Sequence, residues 1–193
     1  ALSGTLNMVR LACRQRPELT TFVFDTKILS MSLGYMVMSA MEQIRSGTPF
    51  EKLQGVLARL REGVDGLFYL PTLEHLIAGG RIGRVAGTVG KLLNVRPVIG
   101  CDENGAYYAR ATTIGARRTV QVVRRMVQDF AAGRNLELTV THAGAPEEAR
   151  NLVDALRDIP GLISAQILPL GPALAAHVGR GMLAVCSRVQ TAT

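Results

Sequence analysis

The chain has 193 residues, of which 48% are hydrophobic and 19% charged, and 22 Lys and Arg against 15 Asp and Glu give a formal net charge of +7. That length suits one ordinary domain or two small ones, and a core of that size, burying about 70% of the unfolded surface, needs no disulfide or metal to hold it. The apolar share argues against disorder, and no apolar run reaches the roughly 18–20 residues of a membrane-spanning helix, since the longest, residues 28–40, is broken by Ser30, Ser32, Gly34 and Ser39.

Apolar side chains at Leu6, Met8, Val9, Ala12 and Cys13 predict a helix over 3–16, with the Ser3-Gly4-Thr5 turn at its start. Thr20–Phe24 is β-branched and aromatic and predicts a short strand. A helix is expected over 29–45, ended by Ser46-Gly47. A second then runs to Glu62, with Thr48 as cap, Pro49 at the first helical position and Glu51 three residues after the cap. A strand over 64–70 leads to Pro71-Thr72, a short helix over 73–78 and the turn Gly79-Gly80-Arg81-Ile82-Gly83. A helix over 85–93 follows, then strands over 95–101 and 106–112 around Asp102-Glu103-Asn104-Gly105. An amphipathic helix over 116–130 carries Val120, Val123, Val127 and Phe130 on one face and most of its arginines off it. The rest reads as a strand over 136–141, a helix opened by Pro146, a strand over 163–170, a helical turn over 172–176 and a strand over 182–189. Glu147 and Glu148 stand in the first turn of the helix at Pro146, as the macrodipole prefers.

One strand cannot form a sheet alone. Residues 1–63 are therefore read as the C-terminal remnant of a first α/β domain, with its earlier strands ahead of Ala1 or on another chain. Residues 64–193 are read as a second α/β domain, a mixed sheet with covering helices. The lack of an initiator Met at Ala1 fits a chain that begins within something longer.

The charge has no focus. Apart from Lys27, Lys52 and Lys91 the basic residues are Arg, adjacent only at Arg117–Arg118 and Arg124–Arg125, and Trp is absent. Nucleic-acid binding usually shows denser basic runs or interleaved aromatics, so a DNA-binding regulator rests on charge alone, and an anionic small ligand or acidic partner explains the charge equally. Cys13, Cys101 and Cys186 are scattered and form no CxxC pair, which leaves them as buried small hydrophobes. His75, His142 and His177 have no short metal-ligand spacing, and no metal is expected. His75 reads as a solvated or capping group, His142 follows a strand, where ligands gather in α/β folds, and His177 is flanked by Gly171, Gly179 and Gly181. Arg81 is either a solvent-facing residue after a glycine C-cap or a guanidinium held over an anion. Ser3 is either a plain N-cap or part of a carboxylate site at a helix start. No Walker-type or dinucleotide glycine loop and no GxSxG elbow occurs, which leaves a small-molecule kinase or phosphotransfer enzyme as an alternative without a recognised nucleotide loop, and a hydrolase with little behind it.

Several stretches together resemble the DegV family of bacterial fatty-acid-binding proteins: ALSGTLNMVRLA, FVFDTKILSMSLGYMV, LFYLPTLEHLIAGGRIGRVAGTVGKLLNVRPVI, TTIGARRTVQVV and HVGRG. They follow the family's order over nearly the whole chain. The resemblance implies two α/β domains holding a long-chain fatty acid between them, no catalysis by the protein itself, no cofactor, and a separate ATP-dependent kinase subunit in the cytoplasm that makes acyl phosphate for phospholipid synthesis. It implies a carboxylate site at Ser3, Gly4 and Thr5, a head-group and phosphate role for Arg81, His177 and Gly179, and a partner-facing or head-group position for Arg117 and Arg180. Met31, Met36, Met38 and Met41 are either an adaptable acyl lining or plain helix packing. The chain departs from the pattern in three ways: Arg180 where a proline commonly follows the glycine, Asp25-Thr26 for the commoner aspartate-serine pair, and the absence of the family's first strands with an early hydroxyl that also binds the carboxylate.

Overall fold

The computed structural model describes residues 2–87 and 95–190. Its centre is a six-stranded mixed sheet: β1 (Val64–Tyr69), β2 (Val95–Cys101), β3 (Tyr107–Ile114), β4 (Leu136–His142), β5 (Leu162–Pro169) and β6 (Leu183–Val189), in the order β3-β2-β1-β6-β4-β5. Only β4 and β5 pair parallel, joined by helix α6 (Pro146–Leu156) as a parallel pair requires; every other neighbouring pair is antiparallel. The remaining helices are α1 (Thr5–Arg14), α2 (Ser30–Arg45), α3 (Phe50–Glu62), α4 (Glu74–Ala78), α5 (Ala116–Ala131) and α7 (Pro172–Val178).

Helices cover both faces. On one, α5 lays Val123, Val127 and Ala131 and α6 lays Ala149, Leu152 and Leu156 over Leu136, Leu138 and Val140 of β4 and Leu183, Val185 and Val189 of β6. This is the apolar stripe read in α5, with its arginines turned outward or along the rim. On the other face, α2 packs Tyr35 and Met36 against Val64 and Cys186, while α4 and α7 bring Leu76 and Val178 against Ile99 and Ala184. Residues of β6 are buried almost without interruption, as a central strand covered on both sides must be.

Polar contacts fix α2 on the sheet. Tyr35 and Thr139 share a 2.8 Å hydroxyl hydrogen bond, and Ser32 Oγ donates to the Asp65 carbonyl at 2.9 Å. Arg188 of β6 donates to both carboxylate oxygens of Glu137 at 3.0 and 2.9 Å, reaches Glu42 of α2 at 3.2 Å and lies over the Tyr35 ring.

Four local expectations are corrected. Residues 20–24 form no strand: among the described residues no strand borders them, and β-rich composition without a pairing edge leaves extended coil. Phe22 stacks edge-on against Phe50, and Phe24 joins the α2 cluster. The N-cap of α3 is Pro49, not Thr48, whose hydroxyl donates to Gln43 Oε1 at 2.9 Å. The N-cap of α1 is Gly4, one residue after Ser3. The helix expected from Val85 is a 3-10 turn over Gly83–Gly87 as far as it is described; its remainder lies outside the described residues. That turn starts at a left-handed Gly83, where a Cβ would fall 2.7 Å from the Tyr107 carbonyl oxygen.

Candidate functional site

The second face of the sheet carries a pocket. Its floor is made of small and flat groups that the strand register sets side by side: Gly66 opposite Cys186 and Phe68 opposite Ala184, with Gly100 and Cys101 on β2. Its roof is the Ile28-Leu29-Ser30 segment entering α2, with Leu174 and Val178 of α7. A wider cleft of about 620 Å³ shares Ile28, Leu29, Ser30, Cys101 and Leu174 with it and extends outward past Phe22, Phe24, Leu6 and Val9 to Ser3 and Thr5. That volume lies within the range of small-molecule sites.

The roof is held in an unusual backbone. Lys27 and Ser30 both have φ of +54°, the left-handed region that β-carbons resist. Three contacts hold the segment: Asp25 Oδ1 accepts the Lys27 N–H at 3.2 Å, Arg61 Nε donates to the Thr26 carbonyl at 2.7 Å, and Ser30 Oγ lies 3.3 Å from Thr141 Oγ1.

At the mouth, Ser3 Oγ accepts the Thr5 N–H at 3.1 Å and lies 2.8 Å from Thr5 Oγ1, so both hydroxyls sit together at the start of α1. They are exposed, and the free N–H groups of the first turn lie beside them. A hydroxyl pair at a helix start can donate to a carboxylate while the helix N-terminus favours its charge. Gly4 has open space where a Cβ would be.

The two glycine turns meet. A Cβ at Gly79 would fall 2.9 Å from His177 Nδ1, and one at Gly179, whose φ is +74°, 2.1 Å from His75 Cδ2. The turn after α4 and the end of α7 thus interlock, each glycine receiving an imidazole from the other segment. Arg81 is exposed and its Nη1 donates to the Gly79 carbonyl at 2.6 Å, placing the guanidinium beside this junction. Arg180 lies over Gly144, with its Cγ 3.2 Å from where a Cβ would stand. The neighbouring Gly181 N–H donates to the Ala143 carbonyl at 2.7 Å. Arg117 is exposed in the first turn of α5, on the helix covering the other sheet face, and joins none of these groups.

His142 serves the fold, since its Nδ1 accepts the N–H of Ala145, the N-cap of α6, at 3.1 Å. Met31, Met36, Met38 and Met41 do not line the pocket or the cleft; Met36 is buried beside Tyr35 and Met38 and Met41 are exposed, whereas Met182 lines the inner pocket. Sequence reasoning missed Ser32, Arg61 and Asp65, which line the inner pocket, and the lining role of Cys101 and Cys186. Burial pushes the Cys101 thiol up to about 11 and raises that of Cys186 as well. Among the described residues no three His, Cys, Asp or Glu side chains are grouped to hold a metal ion, and no helix is long and apolar enough to cross a membrane.

A family model described as an uncharacterised protein of the DegV family matches residues 1–189. A DegV domain-containing protein of Clostridium perfringens is 36% identical over 185 residues, 96% of this chain and 66% of that one. One from Streptomyces coelicolor is 31% identical over 95% of this chain and 65% of its own length. The chain thus spans about two thirds of the length of the curated relatives it matches. Among solved structures, a fatty-acid-binding DegV family protein of Thermus thermophilus superposes with a TM-score of 0.88 at 29% identity, covering 98% of this chain and 68% of that one. A DegV family protein of Streptococcus agalactiae shares the fold, with a TM-score of 0.89 at 24% identity over 98% of this chain and 67% of that one.

Proposed function

The chain belongs to the DegV family, and from that membership we propose that it binds a long-chain fatty acid and presents the carboxylate to a separate ATP-dependent kinase subunit that forms acyl phosphate. On this reading the protein works in the cytoplasm as a binding subunit without chemistry of its own. On the same reading residues 1–63 form one α/β domain and 64–193 a second, with α2 of the first resting on the sheet of the second and the acyl chain between them.

The observation that carries the reading is the continuity of surface from Ser3 and Thr5, through a cleft walled by Phe22, Phe24, Leu6 and Val9, into the apolar pocket over Phe68 and Ala184. A fatty acid needs such a gradient: apolar walls for the chain, donors at the mouth for a carboxylate that is costly to desolvate unpaired. The Thermus thermophilus relative, described as binding fatty acid, supports it. Ser3, Gly4 and Thr5 hold the carboxylate. The junction of Arg81, His177 and Gly179 stands by the head group, where Arg81 counters the charge of the acyl phosphate. Arg180 adds charge on the same side, and Arg117 faces the partner.

Mass spectrometry of lipid extracted from the purified protein is expected to find a long-chain fatty acid, and delipidated protein is expected to bind oleate or palmitate by calorimetry. Protein that yields no lipid and ignores both acids overturns the reading. Retained binding without acyl phosphate formation in the presence of a kinase subunit overturns the second half of it alone.

A further inference from the structure

The sheet ends on one side at β5, which pairs with β4 alone among the described residues. Its eight residues, Leu-Ile-Ser-Ala-Gln-Ile-Leu-Pro, carry no charge, and most are exposed, Ile163 to 51%. Apart from the Leu162 N–H, which reaches the Ile159 carbonyl, β5 has no backbone partner beyond β4 among the described residues. The opposite edge strand, β3, carries Arg110, a charge of the kind that discourages edge-to-edge pairing. β5 has no such guard before Pro169, its last residue.

The helix above this edge is charged in a self-matching order. α6 rests on both β4 and β5, and its Ala155 carbonyl accepts Arg124 Nη1 of α5 at 2.6 Å, which fixes the flank that faces α5. At 3.6 residues per turn, Arg150 and Arg157 stand on the opposite flank, toward the free edge. Arg150 is paired with Glu147 and Arg157 with Asp154, each three residues before it, and all four side chains are exposed. Along the helix the order is acid, base, acid, base. Turned end for end about Leu152, that order sets Glu147 against Arg157 and Arg150 against Asp154.

We propose that β5 and α6 form a docking surface for a second copy of this chain, in which two β5 strands pair antiparallel about a two-fold axis and the two α6 helices pack side by side above them. A register centred on Ala165 sets Ile163 beside the partner's Ile167 and Ser164 beside the partner's Gln166, with no like charges opposed. The spacing closes as well. Strands pair about 4.8 Å apart, so a helix over the gap between β4 and β5 lies about 4.8 Å from the axis, and the two helices about 10 Å apart, an ordinary packing distance. α6 runs from the end of β4 to the start of β5, so its middle lies over the middle of β5 and one axis serves both pairs. Such a pairing uses the same patch on each copy and closes at two. The pocket lies on the other face of the sheet, so the pairing does not depend on what the pocket binds.

Light scattering after size exclusion, run on the full chain across a dilution series, is expected to give a dimer at micromolar concentration that dissociates on dilution. Ile163→Lys, at a half-exposed edge position, is expected to keep the melting temperature and to weaken the dimer by about tenfold or more. Arg150→Glu should weaken it about tenfold, and adding Asp154→Arg to the same chain should return it, a rescue that loss of a purely internal contact would not show. Ala165→Cys stands on the axis, where opposed Cα atoms lie about 4.5–5.5 Å apart, within disulfide reach. It is expected to cross-link two chains under mild oxidation that leaves the wild type uncross-linked. A wild type that stays monomeric at every concentration overturns the proposal. So does a dimer that Ile163→Lys leaves intact and Ala165→Cys does not cross-link. Loss of the dimer with Ile163→Lys but indifference to Arg150→Glu overturns the helix pairing alone.

Discussion

His177 and Gly79 fit as side chain and vacancy: the imidazole occupies the place where any residue with a β-carbon at 79 would intrude, and Gly179 receives His75 in the same way. The two segments that most resemble the family motifs are thus one structural unit, and neither turn keeps its shape without the other.

Gly179 is the sharper case, because its φ of +74° adds backbone strain to the overlap with His75. Gly179→Ala is expected to destabilise the fold by about 2 kcal/mol or more in urea denaturation. Pairing it with His75→Ala should recover the steric part and leave the conformational part. A single variant as stable as the wild type would contradict the interlock.

Ser3→Ala removes the hydroxyl that accepts the Thr5 N–H and stands at the cleft mouth. Losing one hydrogen bond to a charged carboxylate corresponds to about tenfold weaker binding. Calorimetry with oleate should show that loss, with a melting temperature close to the wild type. Unchanged affinity would remove Ser3 from the carboxylate site.

Cys101 lines both the inner pocket and the outer cleft, and burial pushes its thiol up to about 11. Its alkylation by iodoacetamide, followed by peptide mass spectrometry, is therefore expected to be slow at neutral pH and to keep rising beyond the ordinary thiol range of about 8.5. Bound oleate should slow it further. A rate that levels off near pH 8.5, or that ignores oleate, would contradict its placement.

Asp102 closes the β2–β3 turn. The backbone N–H of Ala106 holds its carboxyl below the usual aspartate value, helped by the N–H of Asn104 and the nearby Arg84 guanidinium. A lowered carboxylate stabilises the folded state above its unfolded pKa, and that stability is lost as pH falls through the folded value. Melting curves from about pH 5 downward should therefore fall less steeply for Asp102→Asn than for the wild type. Parallel acid limbs would contradict the assignment.

Glu137 and Arg188 are both mostly buried, at 16% and 14% side-chain exposure. Glu137→Ala leaves the guanidinium with the more exposed Glu42 as its remaining carboxylate, and a loss of about 3 kcal/mol is expected in chemical denaturation. Adding Arg188→Met to the same chain should return much of it.

From residue 64 onward, apart from the helix expected over 85–93, the strands and helices were legible because their signals are local. The alternation of Leu136, Leu138 and Val140, the valine stripe of α5 and the Pro146 start each lie within one element. Thr20–Phe24 carried the same local signal and failed, since a strand is completed by a neighbour that no local pattern reports. The pocket was illegible for a related reason. Ile28, Arg61, Gly66, Cys101, Val178 and Cys186 become neighbours only through the sheet order, which sets β6 beside β1 across more than a hundred residues. Ser3, Arg81 and His177 were nameable because they sit in short motifs; Arg61 and Asp65 sit in none.

The left-handed residues Lys27 and Ser30 give the roof a particular thermodynamic character. Each such backbone costs on the order of 1–3 kcal/mol and persists only where its surroundings over-determine it. The roof is thus a sprung part, held in shape by contacts within the chain itself, from Arg61, Asp25 and Thr141. A guest then need not freeze a floppy wall on entry. Glycine at either position would relax the spring, yielding a sturdier protein with a slacker grip.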